Sequence, residues 1–161
     1  MNEREMADRL AITDKIYRYC RAVDRLDVPL GHSVFHPDSY ADFGNYKGTG
    51  RGWIDYVCEE HRKYLHHSHQ VTNIIIDLDG DRAGSEAYVT ATLRARDGDR
   101  ILQRQYWARY VDEWSKRQGN WAIVRRECVI DFDSLTEVMP MNDHQRAQRN
   151  RNDPSYSVLR G

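Results

Sequence analysis

The chain has 161 residues, of which 40% are hydrophobic and 30% are charged, a composition that fits one globular domain with a core of its own. Lysine and arginine number 24 against 25 aspartates and glutamates, and the net charge of −1 gives no drive toward nucleic acid or acidic membranes. No apolar run approaches the ~20 residues that cross a bilayer, and the charged N-terminus is followed by no signal-peptide core, so membrane insertion and secretion are not expected.

The first third of the chain has helical periodicity. Over residues 3–26, apolar residues recur at spacings of three and four, which predicts a helix. Its predicted core side runs through Met6, Leu10, Thr13, Tyr17 and Cys20 and is widened by Ile12, Ile16, Tyr19 and Val23. A short helix over 30–35, a short strand over 39–43 and a further helix over 53–64 follow, with a glycine-rich loop before the last.

Period-two alternation then replaces the helical pattern. Four long strands are predicted over 70–78, 83–95, 101–114 and 121–132, rich in Val, Ile, Thr, Tyr and Trp. Asp-Gly and Gly-Asn turn signals separate them, as in antiparallel hairpins. Helices followed by an antiparallel meander indicate an α+β fold rather than a parallel α/β fold.

Asp24 is the first candidate functional residue. Counting four and three from Met6 through Cys20 lands on Asp24, which places this carboxylate on the core side of the first helix. A buried carboxylate must be paired or hydrogen-bonded, because an isolated buried charge is too costly. The alternative is that the helix has ended and Asp24 is an exposed cap or turn residue.

His69 begins the first long strand and is the second candidate. Both faces of that strand are partly apolar, so alternation does not choose the inward one, and a strand histidine is more often structural than catalytic. The neighbouring His61, His66 and His67 suggest a metal. However, His66 and His67 point to opposite faces, and no zinc spacing is present, so no metal site is predicted. The three cysteines, far apart and odd in number, predict reduced thiols in a cytoplasmic protein.

A carboxylate beside an imidazole is suited to proton abstraction. The carboxylate holds one ring nitrogen and stabilises the imidazolium, while the other nitrogen takes a proton. Tyr19 is a candidate donor to an oxygen that gains charge, and so is Arg125 or Arg126, of which alternation sends one inward without saying which. Trp53, Tyr40 and Tyr46 are candidates for lining a pocket that takes a flat, ring-containing substrate, although core packing explains them equally well.

These segments resemble a known family. Residues 19–24 (YCRAVD), 69–73 (HQVTN) and 121–124 (WAIV), in that order, resemble the SnoaL-like branch of the NTF2-like superfamily, with scytalone dehydratase, bile-acid dehydratase and hexachlorocyclohexane dehydrochlorinase as similar members. The resemblance implies a cone of curved antiparallel sheet, closed by the N-terminal helices around an apolar pocket.

The resemblance also implies roles for residues. Asp24 and His69 match the family's aspartate–histidine dyad, and Tyr19 matches a tyrosine that assists catalysis. Arg125 or Arg126 matches an arginine used by some dehydratases. Asn73 matches an asparagine that has a structural role or lines the pocket. It implies a lyase of dehydratase type, or an isomerase or cyclase, that needs no cofactor. The expected substrates are small hydrophobic, aromatic, polyketide-like or steroid-like molecules, and the expected assembly is a homo-oligomer, a trimer rather than a dimer. The alternative function is a non-catalytic binding module resembling a dioxygenase small subunit.

The end of the chain is polar and basic. We expect residues 1–135 to form the SnoaL-like domain and residues 136–161 a C-terminal extension. That extension is predicted to be an arm that contacts a neighbouring subunit. Binding of an acidic partner is the weaker alternative, and the neutral whole chain argues against nucleic acid.

Overall fold

The computed structural model describes residues 1–139 and 147–159, and it has three helices packed on one mixed sheet. The helices are α1 (Glu3–Arg25), α2 (Val28–His32) and α3 (Gly50–His61). The strands are β1 (Phe35–Asp42), β2 (Lys47–Gly48), β3 (His66–Asp79), β4 (Arg82–Asp97), β5 (Arg100–Arg117) and β6 (Asn120–Glu137). The α+β class predicted from the sequence is confirmed. No helix in the described ranges is long and apolar enough to span a membrane.

The sheet runs in the order β2-β1-β6-β5-β4-β3. Strands β3 to β6 form the predicted antiparallel meander, whereas β1 pairs with β6 in parallel, so the sheet is mixed. Two of the hairpins turn at Gly80 and Gly98, which have φ of 60° and 59°. Positive φ is available to glycine without steric cost, which is why Asp-Gly marked these turns in the sequence.

Two of the register shifts in the sheet determine which candidate residues face inward. Asn73 has φ of 49° and lies where the pairing of β3 with β4 shifts register. As a result, His67, His69 and Val71 face the core before the bulge and Ile74 after it, so Asn73 itself is exposed. A second shift lies opposite Trp114, where Val124 is the extra residue in β6. A bulge adds one residue to a strand and reverses the alternation beyond it.

Helix α1 begins with a capping box between Asn2 and Glu5 and packs across the sheet. The predicted core side of this helix is wrong in part: Met6, Leu10 and Tyr17 are exposed. The buried side is made by Asp8, Ile12, Ile16, Tyr19, Cys20, Ala22 and Val23. The prediction is therefore confirmed for Ile12, Ile16, Tyr19, Cys20 and Val23. The exposed apolar residues also recur at intervals of three and four, so spacing alone did not distinguish the buried side of the helix from its exposed side.

Part of the predicted extension packs against its own chain. Asp153 accepts a hydrogen bond from Arg25 at 2.8 Å, and the Tyr156 hydroxyl donates to Asp27 at 2.6 Å. The described tail, residues 147–159, therefore holds the C-terminal end of α1. The part of the predicted arm that includes His144 and Arg146 lies outside the described residues, and contact with another subunit stays a prediction.

Candidate active site

Asp24 and His69 meet where the last turn of α1 crosses the start of β3. Asp24 Oδ1 lies 2.7 Å from His69 Nδ1, and Asp24 Oδ2 accepts the backbone N–H of His69 at 3.0 Å. Both side chains are largely buried, with 14% of Asp24 and 8% of His69 exposed. Because a carboxylate only accepts hydrogen bonds, Nδ1 carries the ring proton and the lone pair is on Nε2.

His69 faces a cavity of about 460 Å³, a volume in the range of small-molecule sites. Its walls come from α1, α3 and the concave face of β3 to β6. Most of the lining is apolar or aromatic: Val23, Phe43, Trp53, Tyr56, Val57, Val89, Ala91, Leu93, Tyr106, Ala108, Tyr110, Cys128 and Ile130. Among the described residues, the only carboxylate in this wall is that of Glu60, in the last turn of α3. A ligand bound here would be held mainly by apolar contacts.

Tyr19 lines the same cavity from α1. Its hydroxyl accepts a hydrogen bond from Trp53 Nε1 at 2.8 Å, which leaves the hydroxyl proton of Tyr19 free to donate. Burial raises the pKa of Tyr19 well above its usual value, and the charge of Arg126 offsets only part of that rise. Tyr19 is therefore a neutral hydrogen-bond donor at physiological pH rather than a base.

Arg126 is the inward arginine of the pair left open by the sequence, but it does not line the cavity. It is fully buried and binds Asp112 through two hydrogen bonds of 2.7 Å. Its guanidinium lies 4.2 Å from the ring centroids of both Tyr19 and Tyr110, which separate it from the cavity. Arg125 is exposed and lies over the ring of Tyr40. Neither arginine contacts the pocket, in contrast to the expectation of direct substrate binding.

Three other predicted pocket residues occupy different places. Tyr40 is exposed because its neighbours on β1, Ser39 and Ala41, take the inward positions. Asn73 is turned outward by its bulge. Tyr46 is outside the cavity wall, but it stacks on Tyr56 with ring centroids 5.5 Å apart and so supports the aromatic rim. Trp53, in contrast, lines the cavity as expected.

His61 and His67, which the sequence suggested only as possible metal ligands, lie beside His69. His61 lines the cavity, and its ring centroid lies 4.6 Å from that of His67 and 5.8 Å from that of His69. His67 Nε2 lies 2.9 Å from the Val23 carbonyl oxygen, to which it donates. Spacing could have found His61, because it follows Trp53 and Val57 at intervals of four. Within residues 1–139 and 147–159, no three metal-binding side chains are arranged to hold an ion.

Burial is the main reason why the pKa values of His61 and His67 are lowered. It lowers the pKa of His61 to about 2, with further lowering from the positive charge that His67 and His69 can carry. Burial also lowers the pKa of His67, and the hydrogen bond to Val23 offsets part of this effect. His61 is therefore neutral at physiological pH.

The sequence of this domain matches a known family along most of its length. Residues 4–127 match the family model for the SnoaL-like domain. The chain belongs to the SnoaL-like family. The resemblance seen in residues 19–24 and 69–73 is thereby confirmed, and the matched range includes α1, α3 and all the strands up to the middle of β6.

This SnoaL-like chain also has relatives in sequence and in structure. The uncharacterized protein Rv2910c of Mycobacterium tuberculosis is 27% identical over 129 residues, which cover 76% of this chain and 84% of that protein. A candidate scytalone dehydratase from Novosphingobium aromaticivorans has 22% identity and a TM-score of 0.74, over 92% of this chain and 100% of the other. The hexachlorocyclohexane dehydrochlorinase LinA-type3 from Novosphingobium barchaimii has 17% identity and a TM-score of 0.72, over 86% and 94% of the two chains. The two structural likenesses show a shared fold.

Proposed function

We propose that this SnoaL-like protein removes a proton from a small ring-containing organic molecule, with His69 as the base and Asp24 as the carboxylate that orients it. The observation that carries the proposal is the 2.7 Å contact of Asp24 with His69 Nδ1 beside an apolar cavity. Because Nδ1 is hydrogen-bonded to Asp24, the lone pair on Nε2 is available to accept a proton from a substrate. A positioned imidazole base typically contributes ~10²–10⁴-fold to a rate.

The reaction that follows proton removal is an elimination of dehydratase type, or an isomerisation from the same first step. His69 takes a proton from a carbon next to a carbonyl group, and the electrons of that C–H bond form an enolate. In elimination, the enolate expels a hydroxyl group from the β carbon, and the hydroxyl leaves as water after taking the proton back from the imidazolium of His69. The free hydroxyl proton of Tyr19 is placed to hydrogen-bond an oxygen that gains charge. No step requires a cofactor.

The shape and chemistry of the cavity support a flat, largely apolar substrate of aromatic, polyketide-like or steroid-like character. Phe43 stacks on Trp53 with ring centroids 3.6 Å apart, and the rings of Tyr56 and Tyr106 also line the walls. Aromatic side chains bind ring systems through large contact areas with defined geometry. No lysine or arginine is among the described residues that line the cavity, which argues against strongly anionic substrates.

Deuterium exchange tests the proposal without knowledge of the natural substrate. The protein is incubated in D₂O with 2-tetralone, a cyclic ketone with acidic α-hydrogens, and deuterium uptake is followed by mass spectrometry. We expect catalysed exchange by the wild type and a loss of roughly 10²–10⁴-fold in His69→Gln. His66→Gln is the matched control, because His66 lies on the same strand but is exposed. Exchange that survives in His69→Gln would reject His69 as the base.

The same assay separates the alternative of a non-catalytic binding module. Such a module would bind 2-tetralone and give no exchange above the buffer rate, and neither variant would then differ from the wild type. A homo-oligomer, with a trimer favoured, stays our proposal for the assembly, and light scattering of the purified chain measures it. The exposed apolar residues on the strands, Ile75, Phe132 and Leu135 among them, are compatible with a subunit contact.

A further inference from the structure

We infer that His61 is a substrate-binding residue that donates a hydrogen bond from Nε2 to the carbonyl oxygen of a ketone whose α-hydrogen His69 removes. The inference deepens the proposed function and rests on it. It adds a second imidazole to the site, on α3 rather than on the strand that carries His69. It also names the functional group of the ligand, a ketone carbonyl.

The position of His61 places it next to the reacting atoms. His61 is the last residue of α3, lines the cavity and is 8% exposed. Its ring is nearly parallel to that of His69, with an interplanar angle of 17° and 5.8 Å between the centroids. Two imidazoles at this separation are close enough to reach neighbouring atoms of one ligand. A carbonyl oxygen and the hydrogen on the adjacent carbon are such a pair.

The surroundings of His61 decide which ring nitrogen carries the proton. Nδ1 is sealed from solvent and has no hydrogen-bond partner among residues 1–139 and 147–159. His67 does not supply one, because its own Nδ1 is also without a partner while its Nε2 donates to Val23. A buried N–H without an acceptor loses its hydrogen bonds to water and gains none in the protein, which costs free energy. The proton therefore belongs on Nε2, the nitrogen on the cavity side. His61 thus offers a donor where His69 offers a lone pair.

The charge state of His61 determines what it can bind. Burial and the two neighbouring imidazoles keep it neutral, with its pKa lowered to about 2. A neutral imidazole polarises a carbonyl oxygen without giving up its proton, and its donor stays available across the physiological pH range. With the carbonyl oxygen bound by His61, the hydroxyl of Tyr19 is free for the oxygen that leaves.

Nitrogen-15 NMR of the histidine side chains tests the inference directly in the wild-type protein. We expect His61 to show the Nε2–H tautomer without titration between about pH 5 and pH 9, consistent with its lowered pKa. Addition of 2-tetralone should shift the Nε2 signal of His61. A proton on Nδ1, or no change in His61 at saturating 2-tetralone, would overturn the inference. Failure of 2-tetralone to bind would overturn the assignment of a ketone ligand.

Matched variants separate this inference from the proposed function. Gln keeps an N–H donor near the position of Nε2, whereas Phe keeps the ring shape without a donor. We expect His61→Phe to weaken binding of 2-tetralone and to slow deuterium exchange, each roughly tenfold, and His61→Gln to stay within about threefold of the wild type. Equal behaviour of His61→Phe and the wild type would overturn the role of His61. The proposed function would then still stand if exchange continued to require His69.

Discussion

Two aspartates each form a close hydrogen bond with a nitrogen-containing side chain, Asp24 with His69 and Asp112 with Arg126. Both contacts are 2.7 Å long, but the surroundings of the two pairs differ. Asp112 and Arg126 are sealed beneath Tyr19 and Tyr110, where Nε and Nη2 of Arg126 donate to the two oxygens of Asp112. Nη1 of Arg126 has no hydrogen-bond partner among the described residues. Burial is the largest single influence on the pKa of Arg126 and lowers it. The charge and hydrogen bonds of Asp112, with smaller contributions from Tyr19 and Tyr110, together outweigh burial and raise that pKa, so the arginine stays charged.

In the pair of Asp24 and His69, only one edge of the imidazole ring is hydrogen-bonded within the protein. Asp24 holds Nδ1 and the backbone N–H of His69, while the other edge of the ring faces the cavity. The comparison indicates that a buried polar pair is structural when other side chains separate it from the cavity. Such a pair is suited to chemistry when one of its polar atoms faces a cavity that a ligand can enter. Four predictions test this distinction, in order of decreasing effect on free energy.

Arg126→Met should destabilise the fold more than any other change considered, because it leaves the Asp112 carboxylate buried without a partner. We expect the free energy of unfolding to fall by about 3–5 kcal/mol in urea titrations. Arg125→Met is the control, because Arg125 is exposed, and its effect should stay within about 0.5 kcal/mol. Similar stabilities for the two variants would contradict the structural role of the sealed pair.

Asp24→Asn should slow deuterium exchange of 2-tetralone by about 100-fold, or about 2.7 kcal/mol, with little change in folding. Asn has one acceptor oxygen for the two donors of His69. If that oxygen binds the backbone N–H, the amide NH₂ faces Nδ1 and shifts the ring proton to Nε2, which removes the base. Asp55→Asn is the control, because Asp55 pairs with His32 at 2.9 Å outside the cavity. Slow exchange in both variants would show that the effect is not specific to the site.

Acid should destabilise the wild type through His61. The unfolded chain binds a proton at His61 near the ordinary histidine pKa, whereas the folded protein does not until about pH 2. Unfolding therefore takes up a proton below about pH 6.5, and the stability present above that pH is lost as the pH falls, by about 1 kcal/mol per pH unit. Urea titrations between about pH 7 and pH 5 should show a smaller loss in His61→Gln than in the wild type. Identical losses would mean that His61 is protonated in the folded protein.

Trp53→Phe should have the smallest effect. It removes the 2.8 Å hydrogen bond to the Tyr19 hydroxyl but keeps an aromatic ring in the wall. We expect a loss of about 1 kcal/mol in the free energy of unfolding. Exchange should fall only slightly, because Tyr19 keeps its donor proton. A loss of exchange as large as that of Asp24→Asn would show that Trp53, rather than the dyad alone, positions the reacting groups.

Much of the fold could be predicted from local signals. The four long strands, their turns and the length of α1 all followed from periodicity and turn residues, since these depend on neighbours along the chain. The pairing of Asp24 with His69 was harder. Its prediction used a helix side that ran through Met6, Leu10 and Tyr17, which are exposed. Asp24 is buried instead because the last turn of α1 lies against the start of β3.

The choice between Arg125 and Arg126 shows why alternation was insufficient. Counting in twos from Trp121 and Ile123 points Arg125 inward, but the bulge at Val124 reverses the order and buries Arg126. Asn73 on β3 is displaced in the same way. A bulge forms where two strands must curve together, so its position depends on the partner strand as well as on the residues that it contains.

The amino-acid sequence by itself determined the order of helices and strands, the family and the two residues of the candidate dyad. Only the tertiary structure decided that Arg126 is sealed beneath two tyrosines and that His61 reaches the cavity beside His69. The physical reason is that periodicity records which side of an element is apolar. The partner of a buried polar atom, in contrast, depends on elements distant in the chain that pack over it.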